Sequence, residues 1–156
     1  MGFLEGKTVI VTGGWRAVLE DGTCGPIGYG IVTAFAKEGA NIVITGRNLK
    51  KLEDAKEEIE RLYNIEVLPV QADVNADADN EAVVKPVVEK AIEKFGHIDA
   101  LVNNAQASAS GVSLVEHTTE QFDLAMYSGL YAAFYYMKTC YPYLKETKGS
   151  VINFAA

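Results

Sequence analysis

The sequence predicts an α/β fold, a doubly wound parallel sheet of about five strands with helices on both faces. Short β-rich runs alternate with longer amphipathic segments along the whole 156-residue chain, and strands that alternate with helices form parallel sheets. Hydrophobic residues make up 49% and charged residues 22% of the composition, which is typical of a globular domain. We find no repeat and no linker, so we interpret residues 1–156 as one domain.

The first part of the chain, up to residue 63, contains two predicted strands and two predicted helices. The first strand, residues 8–12, is β-branched throughout and leads into a glycine-rich loop. The first helix, residues 26–37, has proline in its first turn, and Gly39 ends it. Residues 42–45 form the second strand, and residues 48–63 form a charged second helix. The inward-facing residues of that helix are predicted to be Leu52, Ala55, Ile59 and Leu62.

The rest of the chain continues the same alternation. The remaining strands are predicted at residues 66–72, 99–102 and 150–154. Residues 81–95 form a helix that Gly96 ends, and residues 119–144 form one long helix with Thr118 or Thr119 as its cap. Right-handed crossovers then place helices on both faces of one sheet. Such a sheet binds its ligand at the carboxyl ends of the strands, beside the first strand.

The charge and composition exclude several classes of protein. The formal net charge is -7, which disfavours a nucleic-acid partner because phosphates need a Lys/Arg patch. No apolar run is long enough to cross a bilayer, and the N-terminus lacks a signal-peptide pattern, so we expect a cytoplasmic protein with no membrane partner. Cys24 and Cys140 lie far apart without metal-ligand spacing, and we expect reduced thiols and no metal.

The turn after the first strand is the first candidate site. Its glycines are Gly13, Gly14, Gly25, Gly28 and Gly30. Glycines let a backbone approach a pyrophosphate, and a helix N-terminus supplies N–H donors. The segment from Trp15 to Cys24 resembles an insertion, and Pro26 stands where a compact motif has its middle glycine. The alternative interpretation is a glycine-rich surface loop, but the strand–loop–helix context favours a nucleotide site.

The second candidate is Gly46-Arg47-Asn48, which follows the second strand. A cofactor without a 2′-phosphate usually meets an acidic residue there, whereas a guanidinium pairs well with a phosphate. Arg47 therefore predicts NADP(H) binding, with NAD(H) less favoured. Arg47 could instead simply begin a solvated helix, and Arg16 in the glycine loop is a candidate for a second positive charge.

Polar residues also follow the third and fourth strands. Asp73, next to Val74, could accept a hydrogen bond from an adenine amino group or cap the next turn. Asn103 and Asn104, before Ala105, could tie strand ends together and line a cofactor, or act as ordinary turn residues. His97 and His117 are interpreted as turn residues, and tyrosines at helical spacing in the long helix as a packing or subunit surface.

The motifs VTGG, PIGYG, ITGRN, ADV, NNAQ, CYPYLK and GSVINF occur in this order, and with them the chain resembles the short-chain dehydrogenase/reductase family along its whole length. NNAQASASG and YSGLYAAFYYMKTCYPYLKE are similar to the bacterial 12α-hydroxysteroid dehydrogenase group within it. The resemblance implies a Rossmann sheet, a nicotinamide cofactor, a secondary alcohol or ketone as substrate (a steroid being one candidate) and a homo-oligomer, usually a tetramer. The implied cofactor residues are Gly13, Ile27 and Gly28 at the phosphates, Arg47 at the 2′-phosphate, Asp73 and Val74 at adenine, and Asn103, Asn104 and Ala105 beneath the nicotinamide.

The sequence departs from the family at three positions. Gln106 stands where most relatives have glycine, and Gly129 stands at the place of a helix asparagine that many use in a proton relay. Ala156 occupies the position of the catalytic serine, and the tyrosine and lysine of the YxxxK motif would lie beyond it. The resemblance therefore implies a chain truncated after the fifth strand, with a cofactor site, no catalytic residues and no activity alone. The alternative is a non-enzymatic nucleotide-binding or oligomerisation fragment that docks on a full-length relative.

Overall fold

Five parallel strands form one sheet in the order β3-β2-β1-β4-β5. The structure is a computed structural model that describes residues 2–17, 22, 25–74 and 80–155. Its strands are β1 (Thr8–Thr12), β2 (Asn41–Gly46), β3 (Val67–Gln71), β4 (Ala100–Asn103) and β5 (Ser150–Asn153). Its α-helices are α1 (Ile27–Lys37), α2 (Leu49–Leu62), α3 (Asn80–Phe95), α4 (Thr119–Ala125) and α5 (Ala132–Thr147).

Strand β1 lies at the centre of the sheet. It pairs in parallel with β2, from Thr8 opposite Asn41 to Thr12 opposite Thr45. On its other side it pairs in parallel with β4, where Val9 lies opposite Ala100. The strand order reverses at β1, so the carboxyl ends of β1 and β4 form the crevice where such sheets bind ligands. The predicted doubly wound parallel sheet is confirmed.

Side chains alternate between the two faces of the sheet and form two cores. Ile10, Val43 and Leu101 face α3 and α5, whereas Val11 and Ile44 face α1 and α2. All five side chains are fully buried. A strand buried on both faces has no alternation of polar and apolar residues, which explains the unbroken β-branched sequence of β1, with Val9, Ile10 and Val11 at its centre.

One inward-facing prediction on α2 is wrong. Leu52, Ala55 and Ile59 are fully buried as predicted, but Leu62 is 51% exposed. The helix ends at Leu62, and Tyr63 adopts an extended backbone. Because of that change of direction, the Tyr63 ring packs against the core beneath α1 and α2, and Leu62 is left at the surface.

The predicted long helix at 119–144 is divided into three parts. Thr118 caps α4 through a capping box with Gln121, which settles the choice between the two threonines. A π-helical segment, Met126–Tyr131, separates α4 from α5, and α5 continues to Thr147. The Asn80 side chain donates a hydrogen bond to the Tyr127 carbonyl in the π segment (3.0 Å), which satisfies a carbonyl in this wider turn.

The other predicted boundaries agree to within one or two residues, the usual uncertainty at element ends. Within the described ranges, we find no helix with the length and apolarity that a membrane span requires.

Candidate functional site

A cleft of about 300 Å³ opens at the carboxyl edge of the sheet, between the ends of β1, β2 and β4. It is lined by Gly13, Trp15, Pro26, Ile27, Gly28, Thr45, Gly46, Arg47, Ala72, Val74, Asn104, Ala105, Gln106 and Ala107. Seven of the ten residues predicted to bind a cofactor are therefore brought together in one cleft. The other three, Arg16, Asp73 and Asn103, lie beside it in sequence and are described below.

The glycine turn at the cleft is too crowded for larger residues. Gly13 has a φ of +74°, a conformation that favours glycine. A Cβ atom at position 28 would lie 2.2 Å from the Gly13 carbonyl oxygen and 2.7 Å from the Asn104 side-chain nitrogen. Ile27, the first residue of α1, is 68% exposed at the mouth of the cleft. Because Gly13 and Gly28 have no side chains, backbone atoms of the turn line the cleft directly.

The two ends of the predicted insertion lie close together at the glycine turn. The Gly25 amide donates a hydrogen bond to the Ala17 carbonyl (3.0 Å), so the two ends of the excursion meet. Because the ends meet, Trp15 and Pro26 line the same cleft although they are eleven residues apart in the chain. Residues 18–21, 23 and 24, the rest of the insertion, lie outside the described residues.

The Thr12 hydroxyl joins the ends of β1 and β4. It accepts hydrogen bonds from the backbone amides of Asn104 (3.0 Å) and Ala105 (2.9 Å). The Asn104 side chain donates to the Thr12 carbonyl (3.0 Å). Asn103, at the end of β4, donates through its side chain to that of Asn153 on β5 (2.8 Å). The prediction that these asparagines tie strand ends together is thus confirmed, while cofactor contact stays a prediction.

A second cleft of about 280 Å³ adjoins the first. Val74, Ala105 and Gln106 line both clefts. The Ser128 hydroxyl, in the π segment, accepts a hydrogen bond from the Ala107 amide (2.9 Å) and donates to the Leu124 carbonyl (2.7 Å). The loop after β4 is therefore held against the helix on the side of the second cleft.

The two predicted arginines lie in different surroundings. Arg47 is exposed and lines the cleft, and its backbone carbonyl accepts a hydrogen bond from the Gln71 side chain (2.8 Å). The Arg16 guanidinium forms an ion pair with Glu58 on α2, and the Tyr29 hydroxyl donates to the same carboxylate (2.6 Å). The Tyr29 hydrogen bond, followed by the Arg16 contact, holds the pKa of Glu58 below its ordinary value despite partial burial.

The residues after β3 differ in exposure. Val74 is 8% exposed and lines both clefts. Asp73 is exposed at the same edge of the sheet. The adenine contact and the capping role of Asp73 stay predictions.

The histidines are structural, as the sequence predicts. The His97 Nε2 atom lies 2.9 Å from the Gly6 carbonyl oxygen and 3.2 Å from Asp99 Oδ2, at the opposite edge of the sheet from the cleft. His117 Nδ1 lies 3.1 Å from the Ser113 carbonyl oxygen. In the described part of the chain we find no group of three or more His, Cys, Asp or Glu side chains that could hold a metal.

The tyrosines of the long helical region serve two purposes. Tyr136 is fully buried, and Tyr141 is 62% exposed. Tyr127 and Tyr131 stack with ring centroids 5.4 Å apart. Burial raises the pKa of the Tyr136 hydroxyl, an effect that Thr45 partly opposes. Packing is therefore confirmed for Tyr136, while a subunit surface stays a prediction for the exposed members.

The family profile described as short chain dehydrogenase matches residues 7–156. The chain belongs to the short-chain dehydrogenase family. It is 60% identical over its whole length to a 12α-hydroxysteroid dehydrogenase from Clostridium sp. (strain ATCC 29733 / VPI C48-50) and covers 58% of that relative. The chain thus spans little more than half of the length of this curated relative.

Solved structures of other dehydrogenases share the fold. A short-chain dehydrogenase/reductase from Burkholderia xenovorans superimposes with a TM-score of 0.84 at 29% identity, covering all of this chain and 58% of its own. An alcohol dehydrogenase from Thermococcus sibiricus, complexed with 5-hydroxy-NADP, has a TM-score of 0.80 at 26% identity over 93% of this chain and 56% of its own. The Rossmann-type sheet and the oxidoreductase family are therefore established.

Several residues of this short-chain dehydrogenase site were missed in the sequence. Trp15 and Ala107 line the first cleft, and Thr12 and Ser128 organise its loops. A threonine directly before a glycine turn could have indicated Thr12, whereas the contact of Ser128 with the Ala107 amide has no local signal because the two residues lie 21 positions apart in the sequence. Ala156, which stands at the position of the family's catalytic serine, lies outside the described residues.

Proposed function

We propose that this chain forms the NADP(H)-binding part of a short-chain oxidoreductase that interconverts a secondary alcohol and a ketone. The observation that carries the proposal is the glycine turn at the sheet's switch point, where no Cβ fits at position 28 and the cleft extends to Arg47. A hydroxysteroid is the proposed substrate class, on the basis of the 60% identity to a 12α-hydroxysteroid dehydrogenase. On its own the chain is proposed to bind the cofactor without turning over substrate.

The residues of the cleft fit a dinucleotide. The bare backbone of Gly13 and Gly28 beside the α1 N-terminus suits a pyrophosphate, since N–H donors and the helix dipole favour an anion. The Arg47 guanidinium suits a 2′-phosphate through charge-assisted hydrogen bonds. Asp73 and Val74 are assigned to the adenine.

The asparagine segment is assigned to the other end of the cofactor. Asn103 ends β4, and Asn104 and Ala105 follow it, where the first cleft meets the second. Their hydrogen bonds to Thr12 and Asn153 hold this segment in one conformation, so they would orient the nicotinamide ring. When bound, the cofactor supplies hydride transfer, and the second cleft is the proposed entrance for substrate.

Direct titration tests the proposal. The chain is titrated with NADPH and with NADH while nicotinamide fluorescence is followed, and Arg47→Ala is compared with Arg61→Ala. Arg61 lies at the other end of α2, is exposed and carries the same charge. We expect saturable NADPH binding that weakens about tenfold or more in Arg47→Ala and is unchanged in Arg61→Ala. Failure of the unsubstituted chain to bind either dinucleotide would refute cofactor binding.

A second candidate function is association with another polypeptide. Val151, Ile152 and Phe154 in and after β5 are 40%, 45% and 48% exposed, and Phe134 on α5 is 53% exposed. Exposed apolar side chains of this kind favour association, and β5 is at the edge of the sheet, with unpaired backbone groups. A homo-oligomer, or docking on a full-length relative, would cover it.

Sedimentation velocity distinguishes this candidate from a simple binding module. The chain is measured alone over a range of concentrations, with Ile152→Asp as the test variant and Leu114→Asp as the control, because Leu114 is 89% exposed and distant in sequence from β5. Concentration-dependent association that Ile152→Asp removes and Leu114→Asp retains would support an interaction surface at β5. A monomer at every concentration would contradict self-association.

A further inference from the structure

A charged cluster forms where the glycine loop meets the end of β2 and the start of α2. The proposed cofactor site gives no role to two of its residues, Trp15 and Lys51. The indole of Trp15 lines the cleft, and its Cδ1 atom would lie 3.5 Å from a Cβ at position 46. The Lys51 ammonium lies 4.7 Å from the centroid of the Trp15 ring, within the range of a cation–π interaction. Trp15 is therefore close both to Lys51 and to the end of β2, which leads directly into Arg47.

Backbone contacts hold this cluster together. The Arg16 amide donates to the Lys51 carbonyl (3.5 Å), and the Lys51 amide donates to the Asn48 side chain, the N-cap of α2 (3.1 Å). The glycine loop and the first turn of α2 are thus joined at Lys51. These hydrogen bonds fix the backbone of Lys51, so the fold determines where its flexible side chain begins.

The Arg16 side chain interacts with α2 and not with the end of β2. Its guanidinium pairs with Glu58, more than one turn further along α2, and Glu58 also accepts from Tyr29 of α1. Arg16, Glu58 and Tyr29 thereby connect the loop, α2 and α1. Moving the guanidinium to a cofactor would break an ion pair between side chains that are only 32% and 22% exposed, which is unfavourable.

The charges at the start of α2 are consistent with a bound anion. The first turn of α2 contains no acidic residue, although a helix N-terminus disfavours cations. Lys50 is compensated by Asp54, one turn further along (3.0 Å), whereas Lys51 lies over the indole. An anionic group beside Arg47 would offset the charge of Lys51.

We infer that Lys51, and not Arg16, is the second cation that reads the 2′-phosphate of NADP(H), with Trp15 as the wall on which it rests. Arg16 is a positioning residue that anchors the glycine loop through Glu58. This inference rests on the proposed function, because it assigns the adenosine end of the same cleft.

The single tryptophan of the chain makes the inference directly measurable. Trp15 fluorescence is followed during titration with 2′,5′-ADP, which carries the 2′-phosphate, and with 5′-AMP, which lacks it. NADPH and NADH are titrated in parallel. We expect each bound nucleotide to change Trp15 emission, and 2′,5′-ADP to bind more tightly than 5′-AMP.

Two lysines give a matched comparison. Lys51→Ala is expected to lower the preference for 2′,5′-ADP over 5′-AMP, and for NADPH over NADH, about threefold to tenfold at low salt. Lys50→Ala, one residue away and paired with Asp54, should leave both ratios unchanged. Arg16→Ala should weaken all four ligands by a similar factor, because it loosens the loop without removing a phosphate contact. Circular dichroism verifies that each variant is folded.

The outcomes separate the inference from the proposed function. Nucleotide binding with an unchanged preference in Lys51→Ala, or a selective loss of the 2′-phosphate preference in Arg16→Ala, would overturn the inference and leave the NADP(H) site intact. A complete absence of binding by the unsubstituted chain would overturn both. A selective loss confined to Lys51→Ala, with the Lys50→Ala ratios unchanged, would support it.

Discussion

Replacing Gly28 by alanine should lower the free energy of unfolding, although helix propensity alone predicts that it should raise it. Gly28 is the second residue of α1, where alanine is ordinarily favoured over glycine by about 1 kcal/mol. The new methyl group, however, would lie 2.2 Å from the Gly13 carbonyl oxygen, a backbone atom that cannot rotate away. Either α1 or the turn must shift by about 1 Å to restore van der Waals contact.

Gly30 provides the matched control. It lies in the same helix and is exposed, and a Cβ there would meet nothing within 4 Å. Gly30→Ala should therefore stabilise the chain by about 1 kcal/mol through helix propensity alone. Gly28→Ala receives the same gain and loses about 1–3 kcal/mol to overpacking. The difference in unfolding free energy between the two variants is thus expected to be about 1–3 kcal/mol.

Urea unfolding followed by circular dichroism measures this difference, and thermal unfolding should show it as roughly 2–4 °C per kcal/mol for a domain of this size. NADPH titration of both variants gives a second readout, because the shift required by Gly28→Ala moves the turn that faces the cleft. If Gly28→Ala proved as stable as Gly30→Ala and bound NADPH equally well, the crowding at the turn would be refuted.

Three further predictions concern other parts of the fold. Lys148, at a φ of 54°, should tolerate glycine with a gain of about 0.5–1 kcal/mol in urea unfolding, since the left-handed conformation disfavours a side chain; a loss of stability would contradict this. Burial raises the pKa of Cys140 to about 12 from an ordinary 9.0, so the fold keeps the thiol neutral. The resulting stability is complete below pH 9 and is lost as the pH rises toward 12. Unfolding measured from pH 8 to 11 should depend less on pH in Cys140→Ala. Ser128→Ala removes the acceptor of the Ala107 amide and should lose about 1–2 kcal/mol in the same urea assay, and an unchanged midpoint would show that water replaces the hydroxyl.

The sequence predicted the order and type of the elements because their signals are local. Five β-branched residues in β1 and the glycines around α1 are visible in short windows of sequence, and periodicity sets which side chains turn inward. The errors lie where an element ends or changes geometry. Leu62 is the last residue of its helix. The π segment between α4 and α5 has no sequence pattern that distinguishes it from a regular helix.

The site was predicted unevenly for the same reason. Gly28 and Arg47 could be placed from their positions after strands, because parallel strands end at one edge. Trp15 was noticed only as the start of an insertion, yet it lines the cleft because Gly25 and Ala17 close that insertion at its base. The Ser128 contact to Ala107 joins residues 21 positions apart and has no sequence signature.

By itself, the sequence determined the alternating α/β architecture, the glycine turn at the switch point and the arginine at the end of β2, since each depends on a few adjacent residues. The tertiary structure alone decided which charges are available there. Arg16 and Glu58 lie 42 residues apart and meet only because α2 packs beside the glycine loop, while the same packing places Lys51 over Trp15. Partner choice among charged side chains depends on distances across the fold, and no local pattern encodes those distances.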